Sequence, residues 1–192
     1  MTNAPNRGEL WGAAEAYEGY TWAAGAGGWR RSSPGWLGAA PRGRWVDLGC
    51  GTGALAAEVC RACQPESLLG LDTSGNFLRA AGRQVPGATF RVGNAADTGL
   101  PSGTFDHAVS GLVLNFTPDP SRTLREMARI VRPGGGVALY VWDYAGHMQI
   151  MRAFFNAARP IDPGSVAFDD GVNVPICRCE RRSARRGSRT WR

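Results

Sequence analysis

The chain has 192 residues, 43% of them hydrophobic, with a formal net charge of +6 and a pI near 9.5. That length suits one domain with a sizeable core, the composition is globular, and no apolar run approaches the ~20 residues that a membrane-spanning helix needs. Every positive side chain is an arginine, which excludes a P-loop lysine, a Schiff-base lysine and a Tyr-x-x-x-Lys pair.

Residues 1–10 are polar and lack the hydrophobic segment of an export signal, so a cytoplasmic setting is expected. Residues 1–43 are rich in Gly, Ala, Trp and Arg, with a short helix predicted around Glu9 to Tyr20 and a glycine-rich stretch from Ala23 to Gly28. From residue 44 the pattern alternates. Arg44 to Leu48 reads as a buried strand, Thr52 to Cys63 as a helix, Ser67 to Leu71 as a strand and Ser74 to Gln84 as a helix. Ala88 to Val92 and Phe105 to Val113 are the third and fourth strands. Ser121 to Val131 is a helix with Ser121 as its expected cap, stopped by Pro133-Gly134-Gly135. Val137 to Trp142 is the fifth strand and Met148 to Ala158 a further helix. Strands and helices at this spacing predict an α/β, Rossmann-like, mostly parallel sheet of about five strands with helices on both faces.

The segment from Val46 to Ala54 carries the chemistry. A strand ends at Leu48, three alternating glycines turn the chain and a helix begins. Such glycines let the backbone approach a ligand closely, and the helix start offers unpaired N–H groups to an anion. The pattern Gly49-x-Gly51-x-x-Ala54 also fits a dinucleotide fingerprint, with Asp72 where a ribose-binding acid belongs. Two features weigh against a dinucleotide. Asp47 would repel a pyrophosphate but attract a ligand ammonium, and Gly93-Asn94-Ala95 places an amide where an adenine edge can be read.

The set resembles the class I S-adenosylmethionine methyltransferases, type 11, a family that includes the ubiquinone and menaquinone C-methyltransferases. Val46 to Ala54 is similar to their first motif and Leu71-Asp72 to the second. Asn94-Ala95 with Leu100-Pro101 and Phe105-Asp106 is similar to the adenine region and fourth strand, and Val131 to Gly135 to the loop before the fifth strand. The resemblance spans residues 44 to 145. It implies S-adenosylmethionine as cofactor and an in-line displacement of its methyl group by a small-molecule acceptor. Asp47 and the turn Gly49, Cys50, Gly51, Thr52 and Gly53 would then hold the methionine part. Asp72 would take the ribose hydroxyls and Thr73 would pack on the adenine, with Asn94 and Ala95 at its amine and ring nitrogen. Ser110 or Gly111 would border the methionine.

Each role has a plainer alternative: Asp72 as a helix cap, Asn94 as a turn residue, the glycines as packing devices. Candidates for a general base are Asp143, Tyr144 and His147, with none assigned. Two other readings of the whole chain are an NAD-type oxidoreductase and an inactive remnant. The domain is expected over 44–177, with residues 1–43 as a cap or substrate segment.

The family ends its sheet with two further strands, and no such pattern is found here. Residues 178–192 hold seven arginines and one glutamate and no Val, Ile, Leu or Phe, so the net charge is a tail on a neutral body. The tail is expected to be solvated, without a specific nucleic-acid role, and to differ from the family's original C-terminus, as after truncation or a shifted frame. A natural short form completed as a homodimer is the alternative. Cys60, Cys63, Cys177 and Cys179 have the spacing of a zinc site, but the first pair falls in an apolar helix pattern, and no metal is expected.

Overall fold

The structure is a computed structural model that describes residues 42–141, together with Ala153, Ala157, Pro160 and Ile161. The chain divides into two units, Met1–Val141 and Trp142–Arg192. In the second, Ala153 and Ala157 are helical and exposed, and Pro160 and Ile161 lie in a turn. The other expectations for residues 1–41 and 142–192, including the tail, the base candidates and the second cysteine pair, lie outside the described residues.

In the first unit five strands form one sheet in the order β3-β2-β1-β4-β5, every pairing parallel. The strands are β1 (Arg44–Leu48), β2 (Ser67–Asp72), β3 (Thr89–Val92), β4 (Phe105–Gly111) and β5 (Val131–Tyr140). Helices α1 (Ala54–Cys63) and α2 (Gly75–Gln84) follow β1 and β2; a 3-10 turn (Leu114–Phe116) and α3 (Pro120–Ile130) link β4 to β5.

Alternation along β1 divides the core. Trp45 packs on one face with Leu55, Ala56, Val59 and Cys63 of α1. Val46 and Leu48 pack on the other with Met127 and Ile130 of α3. Helices thus cover both faces, as two-sided burial of β1 demands. Trp45 also stacks on His107, their ring centroids 4.4 Å apart. At the amino edge of the sheet Asp106 accepts from the Arg44 N–H at 2.7 Å and pairs with the Arg132 guanidinium. These contacts hold its carboxyl below the ordinary range, the Arg44 N–H contributing most.

Among the element boundaries that differ from expectation, three have a clear local reason in the later half of the sheet. α3 is capped by Asp119, not Ser121: the Asp119 carboxylate accepts from the Arg122 N–H at 2.9 Å, and Pro120, with its pre-set φ, takes the first helical position. β4 stops at Gly111 because Leu112 turns into the left-handed region at φ 60°, its N–H donating to the Tyr140 carbonyl. β5 begins early, at Val131 opposite Phe105, and pairing resumes at Gly136 opposite His107. The expected Pro-Gly-Gly loop is therefore an exposed excursion within that strand.

Candidate functional site

The strand order reverses direction between β1 and β4, and ligands of open α/β sheets bind outside the carboxyl ends of the strands at such a point. The turn Gly49 to Gly53 sits there. Gly49, Gly51 and Gly53 all have positive φ, and α1 starts only after Gly53 for that reason, two residues later than the periodicity predicts. A Cβ on Gly49 would run into the Val113 side chain, whereas one on Gly51 would meet nothing within 4 Å. Gly51 therefore leaves open space beside the turn.

Asp72 fastens this turn to its neighbours. One carboxylate oxygen accepts from the Gly51 N–H at 2.9 Å, the other from the Ser74 N–H at 2.8 Å. The Leu71 carbonyl takes the N–H groups of Gly49 and Cys50, and the Asp72 carbonyl takes that of Gly93. The end of β2 thus holds together the exits of β1 and β3. Asp72 is not the cap of α2, because the Ser74 hydroxyl fills that role by accepting from the Phe77 N–H. Two of its carboxylate lone pairs remain for a ligand's hydroxyls. Thr73 beside it is exposed, as a packing platform requires.

Asp47 is the unusual residue. It lies on β1 between Gly70 and Val109, on the α1 face, with no exposed surface and no hydrogen-bond partner on either carboxylate oxygen. Burial, with the Asp72 charge adding to it, pushes its pKa from 3.8 up to about 8. The Ala56 N–H pulls weakly the other way without reaching hydrogen-bond geometry. An orphaned buried carboxyl is destabilising unless something uses it. A cationic group seated on the turn above would do so, acting through a low-dielectric layer rather than by open-surface contact.

The other expected site residues divide. Thr52 is buried in the turn. The Cys50 thiol points inward, close to where a Gly70 Cβ would stand, and burial holds it protonated, so only the Cys50 backbone can face a ligand. Asn94 is exposed and closes a turn, its side-chain oxygen accepting from the Ala96 N–H at 2.9 Å; Ala95 is buried against Leu71 and its neighbours. The turn role and the adenine role are compatible, because that oxygen keeps a second lone pair.

The Ser110 hydroxyl is buried and donates to the Leu48 carbonyl at 2.7 Å, tying β4 to β1. Ser110→Ala is expected to lower stability by about 1 kcal/mol in thermal unfolding while changing S-adenosylhomocysteine affinity less than about twofold. The Tyr140 phenol lies close over Gly111 and would block a side chain there. Val113 and Tyr140, the walls beside Gly49 and Gly111, escape sequence reasoning because no motif marks them. Of the cysteines considered for zinc, Cys63 is buried in the core and Cys60 packs against it, both as free thiols.

A parallel sheet with a glycine turn at its switch point defines a nucleotide-cofactor class of protein. Residues 46–139 match a family model described as a methyltransferase domain. A trans-aconitate 2-methyltransferase of Deinococcus radiodurans is 37% identical over 111 residues, covering 56% of this chain and 42% of that protein. A demethylmenaquinone methyltransferase of Lysinibacillus sphaericus is 30% identical over 141 residues, covering 70% of this chain and 60% of that one. The chain therefore spans roughly half the length of these relatives. In fold it matches, with a TM-score of 0.65 at 21% identity, a chain from the complex between the Trm112 methyltransferase activator and a methyltransferase of Haloferax volcanii, covering 79% of this chain and 68% of that one. Over residues 46–139 the chain is thus similar to the methyltransferase domain, and its fold is that of methyltransferases. Among the described residues no helix is long and apolar enough to cross a membrane.

Proposed function

We propose that the protein transfers the methyl group of S-adenosylmethionine to a small-molecule acceptor. The observation that carries this reading is the orphaned, buried Asp47 carboxyl beneath a turn with open space at Gly51. A dinucleotide's pyrophosphate would gain nothing from a carboxylate there, whereas an amino-acid ammonium would. Asp47 attracts the ammonium from below the turn and Asp72 takes the ribose hydroxyls on its free lone pairs. Thr73 packs on the adenine, and Asn94 with the Ala95 N–H reads its edge. Cys50, Thr52 and the glycines contribute backbone, and Gly111 borders the methionine side.

S-adenosylmethionine supplies an electrophilic methyl on a sulfonium whose departing thioether is neutral, so no acid is needed at the leaving atom. What the chain must provide is orientation and exclusion of water. Residues 1–43 are read as the acceptor-side segment and residues 44–177 as the domain, with 178–192 as a solvated tail. A reducing, cytoplasmic setting accords with the free Cys50, Cys60 and Cys63. Calorimetric titration of the full chain tests the cofactor: S-adenosylhomocysteine is expected to bind in the micromolar range and NADH not at all. Equal binding of both would defeat the reading.

A further inference from the structure

One face of α3 is tied to the loop between β3 and β4. Arg122, Glu126 and Arg129 follow one another at four and three residues, so they line a single stripe of the helix, while Thr123, Met127 and Ile130 of the adjoining stripe are buried in the core. All three polar side chains cross to the loop. The Arg122 guanidinium donates to the Ala96 carbonyl at 3.1 Å and to the Asp97 carboxylate at 3.2 Å. One Glu126 oxygen accepts from the Thr98 N–H at 2.9 Å and from its hydroxyl. Arg129 donates to the Leu100 carbonyl at 2.7 Å and to the Ser102 hydroxyl, and also holds Glu126 through both of that residue's oxygens.

Three of these contacts are to main-chain groups, at Ala96, Thr98 and Leu100, so what they fix is the path of the backbone. A helix needed only for packing would leave that stripe to water. The loop begins with the turn in which the Asn94 carbonyl accepts from the Asp97 N–H and the Asn94 side chain from the Ala96 N–H. The direction of the Asn94 side chain and of the Ala95 N–H therefore depends on where Ala96 to Thr98 are held.

We propose that Arg122, Glu126 and Arg129 are positioning residues that clamp the adenine-reading turn and so set the protein's preference for adenine over other bases. Glu126 is well suited to such a clamp, because Arg129, helped by the Thr98 donors, holds its pKa down at about 2 and its charge persists at all working pH values. None of the three needs to touch the cofactor. The inference rests on the assignment of the adenine to Asn94 and Ala95, and the test separates the two.

Full-length wild type and variants are titrated with S-adenosylhomocysteine and with S-inosylhomocysteine, whose 6-oxo group and protonated ring nitrogen reverse the hydrogen-bonding pattern of adenine. Wild type is expected to prefer the adenine ligand by at least about tenfold, since each mismatched polar group is left unpaired. Glu126→Ala is expected to shrink that ratio to about threefold or less and Arg122→Ala to about half its wild-type value, with Glu126→Gln restoring part of it by keeping one acceptor for Thr98. An unchanged ratio in Glu126→Ala and Arg122→Ala, even with lowered melting temperatures, overturns the clamp. If Glu126→Ala does not fold, Arg122→Ala decides alone, since that guanidinium is more than half exposed and its loss leaves the core intact. A wild type that binds both ligands equally overturns the adenine assignment itself, and the clamp with it.

Discussion

Asp47→Asn is expected to stabilise the ligand-free protein at neutral pH and to destroy its affinity for the cofactor. The sign follows from linkage. Asp47 has a folded pKa of about 8 against an ordinary 3.8, so the folded state holds a proton that the unfolded chain releases. The resulting penalty is absent below pH ~4, grows as pH rises from there towards 8, and is constant above that value. At pH 7 it amounts to roughly 4 kcal/mol. The amide keeps the shape but cannot ionise, so most of that penalty disappears. We expect a gain of about 2–4 kcal/mol at pH 7, or roughly 5–10 °C in melting temperature, and almost none at pH 4. Binding moves the other way. Loss of a buried charge that faces a ligand cation is worth about 2–5 kcal/mol, so S-adenosylhomocysteine affinity at pH 8 should fall by about a hundredfold or more. A variant that is no more stable at pH 7 than wild type, or that binds as well, would refute the role given to Asp47.

Asp72→Ala should have an effect of similar size on binding and the opposite effect on folding. It leaves the N–H groups of Gly51 and Ser74 without an acceptor and removes the partner proposed for the ribose hydroxyls. Stability should drop by about 1–3 kcal/mol and affinity by about a hundredfold or more. A second readout makes this prediction specific. The Asp72 charge helps to raise the pKa of Asp47, so its removal should move the pH midpoint of apo-protein stability, followed by thermal melts, to lower pH. An unmoved midpoint would mean that the two carboxylates do not sense each other.

Much of this architecture was legible because it is written in local patterns. β1 has the bounds its apolar run predicts, and every expected strand from 44 to 140 is present, with ends displaced by one or two residues apart from the start of β5, which lies at Val131 instead of Val137. Where boundaries slipped, a single backbone feature decided the matter: the positive φ of Gly53, the Asp119-Pro120 pair, the turn at Leu112. The carboxylates and the glycine turn were legible for a different reason. They sit at the exits of adjacent strands, and a parallel sheet places successive exits on one edge.

What escaped the sequence is tertiary. Strand periodicity can assign Ser110 to a face, but it cannot show that the Leu48 carbonyl waits there for its hydroxyl. The inward turn of Cys50 depends on the space that Gly70 leaves on the neighbouring strand. The contacts of α3 join residues 25 to 29 positions apart, for which no periodic signal exists. The isolation of Asp47, likewise, is a property of everything packed around it and not of the motif that contains it.

The most direct test is the pH dependence of S-adenosylhomocysteine binding to the wild-type chain. Binding a ligand ammonium requires Asp47 to ionise, so affinity should rise by about tenfold per pH unit between pH 6 and 7.5 and level off near 8, with protons released into the buffer. Affinity that is flat across this range, or no binding at any pH by folded protein, would contradict the account.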